Sequence, residues 1–359
     1  MLAATLLVRS FRNLADAELA LPAAGVALVG PNGQGKTNLL EALAYPVLFR
    51  SIRGAADREL ARFGGPGFHV TVALDDGRVI TTTWSSATRR KRITVDGEEL
   101  TGRTAALGRW LAVAFLPTDL ALVQGGAGER RRWLDRMLSL ASRPYLESLL
   151  RYRAALAQRN AALRQGNAVS ATAFDPVMAR HGAAVTAARQ AWSLGAADPW
   201  ADELATLGEG APVGLRYRCE ESLADEAAWP ARLAASLGRD LARGQSHVGP
   251  HRDEVALSLG GHALRDYGST GQQRSAAIAL RLLELETLAA GRGVRPALLV
   301  DDVFAELDGD RQARLAERLV RHPGQRIVTA PRLEELPPQL ALPTWLVQHG
   351  TVTPMEVAA

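Results

Sequence analysis

The spacing of apolar residues changes repeatedly along the chain, and each change marks an element. ATLLVRSF (4–11) and DAELAL (16–21) alternate apolar and polar positions, which predicts a pair of strands. GVALV (25–29) is apolar throughout and predicts a short buried strand, followed by a helix over 36–48. FHVTVAL (68–74), RVITTTW (78–84) and RITVDG (92–97) alternate like antiparallel strands, with DDG and DG as turns between and after them. WLAVAFLP (110–117) predicts one more buried strand. From about 129 to 208 the period is helical, with breaks expected near Pro144, Gly166 and Pro176. Strand character returns at 213–220 and 255–261, a helix follows over about 272–290, and PALLVDD is a continuous apolar run ending in acid. RIVTA (326–330) and TWLVQHG (344–350) predict the last strands. No repeat of 20–50 residues and no sustained heptad is present.

This order predicts an α/β protein. An α/β core and an antiparallel β-subdomain would come from residues 1–125 and 292–359, and a mainly helical second lobe from 126–291. A chain of 359 residues, 47% hydrophobic and 22% charged, is long enough for two such bodies. One cysteine, Cys219, excludes a disulfide framework or a cysteine-rich zinc site and fits a reducing compartment. The N-terminal apolar run is too short for a signal peptide, and no stretch reaches eighteen uncharged apolar residues. A soluble, cytoplasmic protein without membrane contact is therefore expected. The net charge of +4 permits a polyanionic partner.

Chemistry enters at GPNGQGKTNLLEAL (30–43). Of the 42 lysines and arginines only two are lysines, Lys36 and Lys91. A slim ammonium kept against so strong an arginine bias points to a place where the broad guanidinium does not fit. Gly30, Gly35, Lys36 and Thr37 complete the G-x-x-x-x-G-K-[ST] pattern, with Pro31, Asn32, Gly33 and Gln34 as the loop between. In that pattern the backbone N–H groups curl around phosphate and the lysine reaches the β and γ oxygens. The Thr37 hydroxyl is placed to hold Mg²⁺. ATP and Mg²⁺ are the expected ligands. A P-loop needs carboxylates from a neighbouring strand, and ALLVDD supplies Asp301 for Mg²⁺ and Asp302 to orient or deprotonate the attacking water. A third element, YGSTGQQRSAAIAL, puts Ser269, Gly271 and Gln272 at a helix start, where N–H groups and a hydroxyl can meet an anion. An ordinary capping turn explains the same residues.

Together these motifs resemble ABC-type ATPases, in particular the SMC-like branch with its S-x-G-Q signature. The resemblance implies a site shared between two copies, the P-loop of one facing the signature turn of the other, and hence an ATP-dependent homodimer. AELD (305–308) resembles the D-loop of that class, which would put Asp308 at the dimer seam. No histidine stands at the usual switch position, where Thr329 is found instead, and Gln124 is the nearest Q-loop candidate. The interval from residue 36 to residue 271 is too long for a compact transporter ATPase and too short for a coiled-coil arm. RSFRNLADAELAL, PTDLALVQGGAGERRRWLD (117–135), VGPHRDEVAL (248–257) and VDDVFAELD resemble the RecF family over essentially the whole chain. The second block departs from the family's usual residues at Thr118, Ala127 and Trp133.

RecF similarity implies a slowly hydrolysing, DNA-dependent ATPase of DNA repair. It implies binding to double-stranded DNA and ssDNA–dsDNA junctions, work with RecR and RecO to load recombinase at gaps, and support of replication and the SOS response. Arg89, Arg90, Lys91 and Arg92, and Arg130 to Arg132, are candidate DNA contacts, with solvated turns and internal salt bridges as the competing explanation. His251 and Arg252 suit either a site or a turn. Aromatics are only 5% of the chain, so base-stacking platforms are not expected. The rival functions are an ABC-type subunit powering a transporter and a small-molecule kinase or GTPase. A guanine-reading N-K-x-D is absent.

Overall fold

The computed structural model describes residues 1–355. The last four positions of the expected first lobe, 356–359, lie outside them. The chain divides into two compact units, Met1–Asp119 with Leu288–Ala359, and Leu120–Thr287.

The first unit carries two sheets. One has the strand order 351–354, 344–348, 25–29, 326–330, 297–300, 112–115. Every neighbouring pair is parallel except the edge hairpin 344–348/351–354. GVALV and ALLV are buried at every residue, as strands covered on both faces must be. Register decides what the strand ends bring together. Val29 lies opposite Ala330, and Val300 lies opposite Val328. The P-loop, Thr329 and the two aspartates therefore leave the sheet at one carboxyl edge, where parallel α/β sheets bind ligands. The strand 326–330 lies between the P-loop strand and the acidic strand.

The second sheet is antiparallel, in the order 17–20, 3–9, 67–74, 79–85, 90–95, 98–99. Its alternating residues bury one face. The DG turn is a two-residue hairpin, with φ +53° at Asp96 and +86° at Gly97, the twist that tight hairpins require. Phe11, Tyr45, Phe68 and Trp84 interlock behind the sheet at centroid distances of 5.3–6.4 Å. The final strand, Thr351–Pro354, was not expected from the sequence. Its turn is His349–Gly350, in which His349 takes φ +49°. A histidine there is an uncommon turn signal, so the apolar run reads as one strand through 350.

The second unit holds the helices Ala127–Ala141, Arg143–Arg164, Asp175–Thr206 and Trp229–Arg243, and the first part of Thr270–Arg292. A three-stranded antiparallel sheet, 213–218, 254–259 and 262–263, accompanies them. The expected breaks fall where the backbone demands them. Pro144 and Pro176 occupy first-turn positions that need no N–H donor, and Gly166 takes φ +69°. Two buried arginines tie the helices together. Arg159 reaches Asp240 at 2.7 Å and Asp175 at 2.8 Å, and Arg189 reaches Asp135 at 2.6 Å and the Pro250 carbonyl at 2.7 Å.

Gly182, in the long helix, lies under the fully buried Trp229, where an added Cβ would stand 2.2 Å from the indole edge. Gly182→Ala is expected to cost about 1–3 kcal/mol through overpacking, despite alanine's better helix propensity. Thermal unfolding of the full chain checks this: the midpoint of the helical unit falls by several degrees, whereas an unchanged midpoint contradicts the packing described.

Candidate nucleotide site

The P-loop follows the strand Gly25–Val29 and opens the helix Lys36–Leu48. Its glycines have separate reasons to be there. Gly30 takes φ +152°, and a Cβ there would stand 2.2 Å from the Val347 carbonyl oxygen. Gly35 takes φ +120° and faces Leu14 and Asn13 closely. Gly33 has open space around it and is required for its φ of +80°.

Neighbouring segments hold the loop from two sides. Asn13 donates to the Gly33 carbonyl at 3.2 Å and accepts from Asn38 at 2.7 Å. The Gln34 side chain accepts from the His349 N–H at 2.7 Å, and its carbonyl accepts from the Gly350 N–H at 2.9 Å. Pro31, Asn32 and Gly33 are exposed. The first turn of the helix carries no acid, which leaves its positive dipole end uncompensated. Lys36 is 4% exposed and donates to the Gly30 carbonyl at 2.6 Å and to that of Pro31 at 3.2 Å.

The acidic strand meets this helix directly. Thr37 donates to Asp301 Oδ1 at 2.8 Å. That bond leaves the lone pairs of the Thr37 hydroxyl free, so a hard-oxygen pair suited to Mg²⁺ is in place. Thr329 Oγ1 lies 3.0 Å from Asp301 Oδ1 and 3.0 Å from Asp302 Oδ1, and accepts the Asp302 N–H at 2.9 Å. The hydroxyl has one proton, so it satisfies one carboxylate at a time. Burial first, and then the neighbouring Asp302 charge, push the Asp301 carboxyl above its ordinary range, against the hydrogen bonds from Thr37 and Thr329. Asp302 takes φ +49°, a left-handed conformation that aspartate tolerates better than most residues, and its N–H bonds to Thr329 there. Thr329 stands where the sequence offers it in place of a switch histidine; its grip on both aspartates follows from register alone.

The remaining expected residues lie elsewhere. Ser269 caps the helix Thr270–Arg292: its hydroxyl accepts from the Gln272 N–H at 3.2 Å, and its own N–H donates to the Gln272 side chain at 2.8 Å. This is the reciprocal capping box that the ordinary reading of those residues describes. Ser269 is exposed, and Gly271 and Gln272 are half-buried. Gln124 donates to Gln273 at 2.8 Å. Asp308 caps the helix Gly309–Val320 through the Arg311 N–H at 2.9 Å.

The basic candidates divide. Arg89 and Arg90 are exposed, and Arg92 pairs with Glu99 on the surface. Lys91 is half-buried and engaged within the protein. It points to the buried face of its strand with Ile93 and Val95, donates to the Phe49 carbonyl at 2.6 Å, pairs with Asp57 at 2.8 Å and lies 5.1 Å from the centre of the Tyr45 ring. The two-residue alternation in RKRITV carried that signal. Arg130 is buried, donates to the carbonyls of Leu122, Val123 and Gly125, and pairs with Glu254, the internal engagement that is the competing explanation for this run. Arg131 is half-buried, and Arg132 is exposed and pairs with Glu129. His251 is a turn residue. Its Nε2 faces the Ser246 carbonyl at 3.0 Å and so carries the proton, and Nδ1 accepts from the Tyr152 hydroxyl at 2.6 Å. Burial brings its pKa down to about 4, and the ring is neutral.

No protein-family profile matches the chain. The DNA replication and repair protein RecF of Myxococcus xanthus is 36% identical over 338 residues, covering 90% of this chain and 88% of its own. The chain belongs to the RecF family. The RecF of Anaeromyxobacter dehalogenans (strain 2CP-1) is 36% identical over 364 residues, covering 97% and 98%. A solved structure of the recombination mediator protein RecF with ATP, in the RecFOR pathway, superposes with a TM-score of 0.86 at 28% identity, covering 99% of this chain and 98% of that one. The Smc head domain of Pyrococcus furiosus superposes at 0.56 with 13% identity, which shows a shared ABC-type ATPase head fold. Family membership sets the transporter and kinase rivals aside. Among the described residues no helix is long and apolar enough to cross a membrane.

Beside the P-loop, Glu41 is completely buried and accepts from Arg12 at 3.0 Å, from Arg53 at 2.5 Å and from Ser51. Burial alone would push its carboxyl up; the bonds from Arg53, Ser51 and Arg12 outweigh it and hold the pKa below its ordinary value. The stability this group contributes is thus present above the ordinary glutamate range and lost as pH falls through the lowered value. Glu41→Ala is expected to cost about 3 kcal/mol at pH 7 and to flatten the acid limb of stability against pH, as read by urea unfolding. An acid limb as steep as the parent's excludes this role.

Proposed function

We propose that the chain is a slowly hydrolysing, DNA-dependent ATPase of DNA repair that closes into a dimer around ATP. The observation that carries this reading is the Thr37–Asp301 bond, which joins a P-loop to an acidic strand in a RecF-family chain. Lys36 would meet the β and γ oxygens, and the N–H groups of Gly33, Gln34 and Gly35 would surround the phosphates. Thr37 and Asp301 would hold Mg²⁺, whose charge would neutralise the β and γ oxygens as the bond breaks. Asp302 orients the attacking water and takes its proton. Ser269, Gly271 and Gln272 of a second copy would close over the γ-phosphate, with Asp308 at the seam. The Ser269 hydroxyl is exposed, so a capping residue can also face a nucleotide.

ATP then acts as an adhesive between copies, and the closed dimer holds double-stranded DNA or an ssDNA–dsDNA junction. RecR, with RecO, is the expected protein partner in the cytoplasm, for recombinase loading at gaps, replication restart and the SOS response. The family membership and the solved RecF–ATP structure of the RecFOR pathway support this reading.

Light scattering with and without ATP, repeated with gapped DNA, tests it. Asp302→Asn should give a long-lived ATP dimer, Lys36→Met should bind no ATP, and Ser269→Arg should bind ATP yet remain monomeric. A Ser269→Arg protein that still dimerises sinks the shared-site reading, and ATP turnover indifferent to duplex DNA sinks the repair reading.

Thr329 acts as a positioning residue, since its hydroxyl fixes both the backbone and the carboxylate of Asp302. Thr329→Val should leave ATP affinity near the parent value and slow turnover by about 10²-fold. Thr329→Ser should restore most of the rate. Equal turnover in the valine and serine variants contradicts this role.

A further inference from the structure

Two sequence blocks noted for their resemblance, GERRRWLD and VGPHRDE, have no part in the nucleotide site. They meet inside the helical unit. Arg131 donates to the Asp253 carbonyl at 2.5 Å, and Arg189 donates to that of Pro250 at 2.7 Å. Between them lies a cavity of about 210 Å³, lined by Arg131, Arg132, Arg153, Arg189 and a single carboxylate, Asp135. At about 30 Å³ per water that is room for some seven waters, or a phosphodiester with part of its sugar.

Its charge is not balanced from within. Asp135 is fully used: Oδ1 takes Arg189 and the Tyr145 hydroxyl, and Oδ2 takes Arg153 at 2.6 Å. Nearby acids are engaged as well, Glu254 with Arg130, Glu129 with Arg132 on the surface, and the Asp253 carboxylate with the Tyr217 hydroxyl. Arg131 is half-buried, and among the described residues no carboxylate lies at ion-pair distance from it. Burial first, and then repulsion from Arg189, pull its pKa below the arginine value, against the attraction of Glu254, Asp253 and Asp135. Arg131 and Arg132 also bracket Gly128, where a Cβ would stand 3.9 and 3.5 Å from their guanidinium nitrogens. Gly128 is in the first turn of the helix Ala127–Ala141, whose N-cap, Gly126, has no side chain to offer its N–H groups.

We propose that this arginine-lined cavity is a phosphate-binding site that takes one backbone phosphate of bound DNA. Arg131, Arg132 and Arg153 are its ligands, and Arg189 with Asp135 is the buried frame that holds them. The assignment of the phosphate to DNA rests on the repair reading above; the phosphate chemistry does not. A planar guanidinium fork suits a phosphate held in a fixed place, more than a diffuse basic surface does.

The test uses the full-length protein with the P-loop filled by a non-hydrolysable ATP analogue. Two probes are compared: labelled duplex DNA by anisotropy over a salt series, and inorganic phosphate by hydrogen exchange of residues 127–135. Arg131→Gln and Arg153→Gln should each weaken DNA binding about tenfold and make the salt slope shallower by roughly 0.9, the change expected when one DNA phosphate is no longer neutralised. Both should lose the phosphate-induced protection, and Arg131→Lys, which keeps the charge, should recover part of each signal. An unchanged far-ultraviolet circular dichroism spectrum and an unchanged thermal midpoint of the helical unit show that the variants are folded. If the parent binds DNA and both glutamine variants bind it equally with the same slope, the cavity assignment is overturned and the repair reading stands. If the parent binds no DNA but phosphate protects it through Arg131, the repair reading fails and the phosphate site stands for a free ligand. Absence of both signals in the parent overturns both.

Discussion

Thr37 and Asp301 are 264 positions apart in the chain and 2.8 Å apart in space, and the nucleotide site proposed above rests on that one hydrogen bond. It joins the helix that opens after the P-loop to the strand that carries the acids. It also commits the proton of the Thr37 hydroxyl, so that its lone pairs are those offered to the cation in the proposed mechanism. Neither residue could be held there locally. The bond exists because two parallel strands end at the same edge of the sheet, Val29 level with Ala330 and Val300 level with Val328 of the strand between them, which supplies Thr329. A shift of register by one residue would turn Thr329 to the opposite face and break the link to both aspartates.

Rigidity around this bond comes from groups that do not touch phosphate in the proposed mechanism. Asn13 and the His349–Gly350 turn hold the loop. The buried Glu41, with Arg12 and Arg53, anchors the helix behind it. Such supporting bonds decide whether a site keeps its geometry when charge arrives. The two lysines of this arginine-rich chain fit the same view. Lys36 is enclosed by loop carbonyls, and Lys91 is inserted between a carbonyl, a carboxylate and an aromatic face. Both are places where a compact ammonium makes several short contacts at once.

The helical unit is organised by a different device. Arg159 and Arg189 are buried among carboxylates, hydroxyls and carbonyls drawn from distant segments, and they define how the helices meet. Removing one member of such a set strands a buried charge, so these positions are constrained well beyond their share of the apolar core. Sequence blocks that look functional because they are rich in arginine can therefore be structural in part, as Arg130 is, while Arg131, one residue away, faces a cavity.

The sequence by itself determined the local elements and the chemistry that is local. The P-loop, the apolar strand ending in Asp301 and Asp302, the DG hairpin and the proline and glycine helix breaks all rest on backbone rules that act over a few residues. The capping box at Ser269 was equally open to reading, because its partners are three positions apart. Strand order and register were decided only by the tertiary structure, and with them the grip of Thr329 on both aspartates. So was the burial of Lys91 and Arg130, although the alternation around Lys91 already hinted at it. The final strand was hidden because a histidine rather than asparagine or aspartate makes its turn. The physical reason is common to these cases. Which groups a polar or charged side chain meets depends on other segments, 27 to 124 positions away for the partners of Thr329 and Lys91 and for Glu254 beside Arg130, and short-range periodicity tells at most which face a side chain is on, not what it meets there.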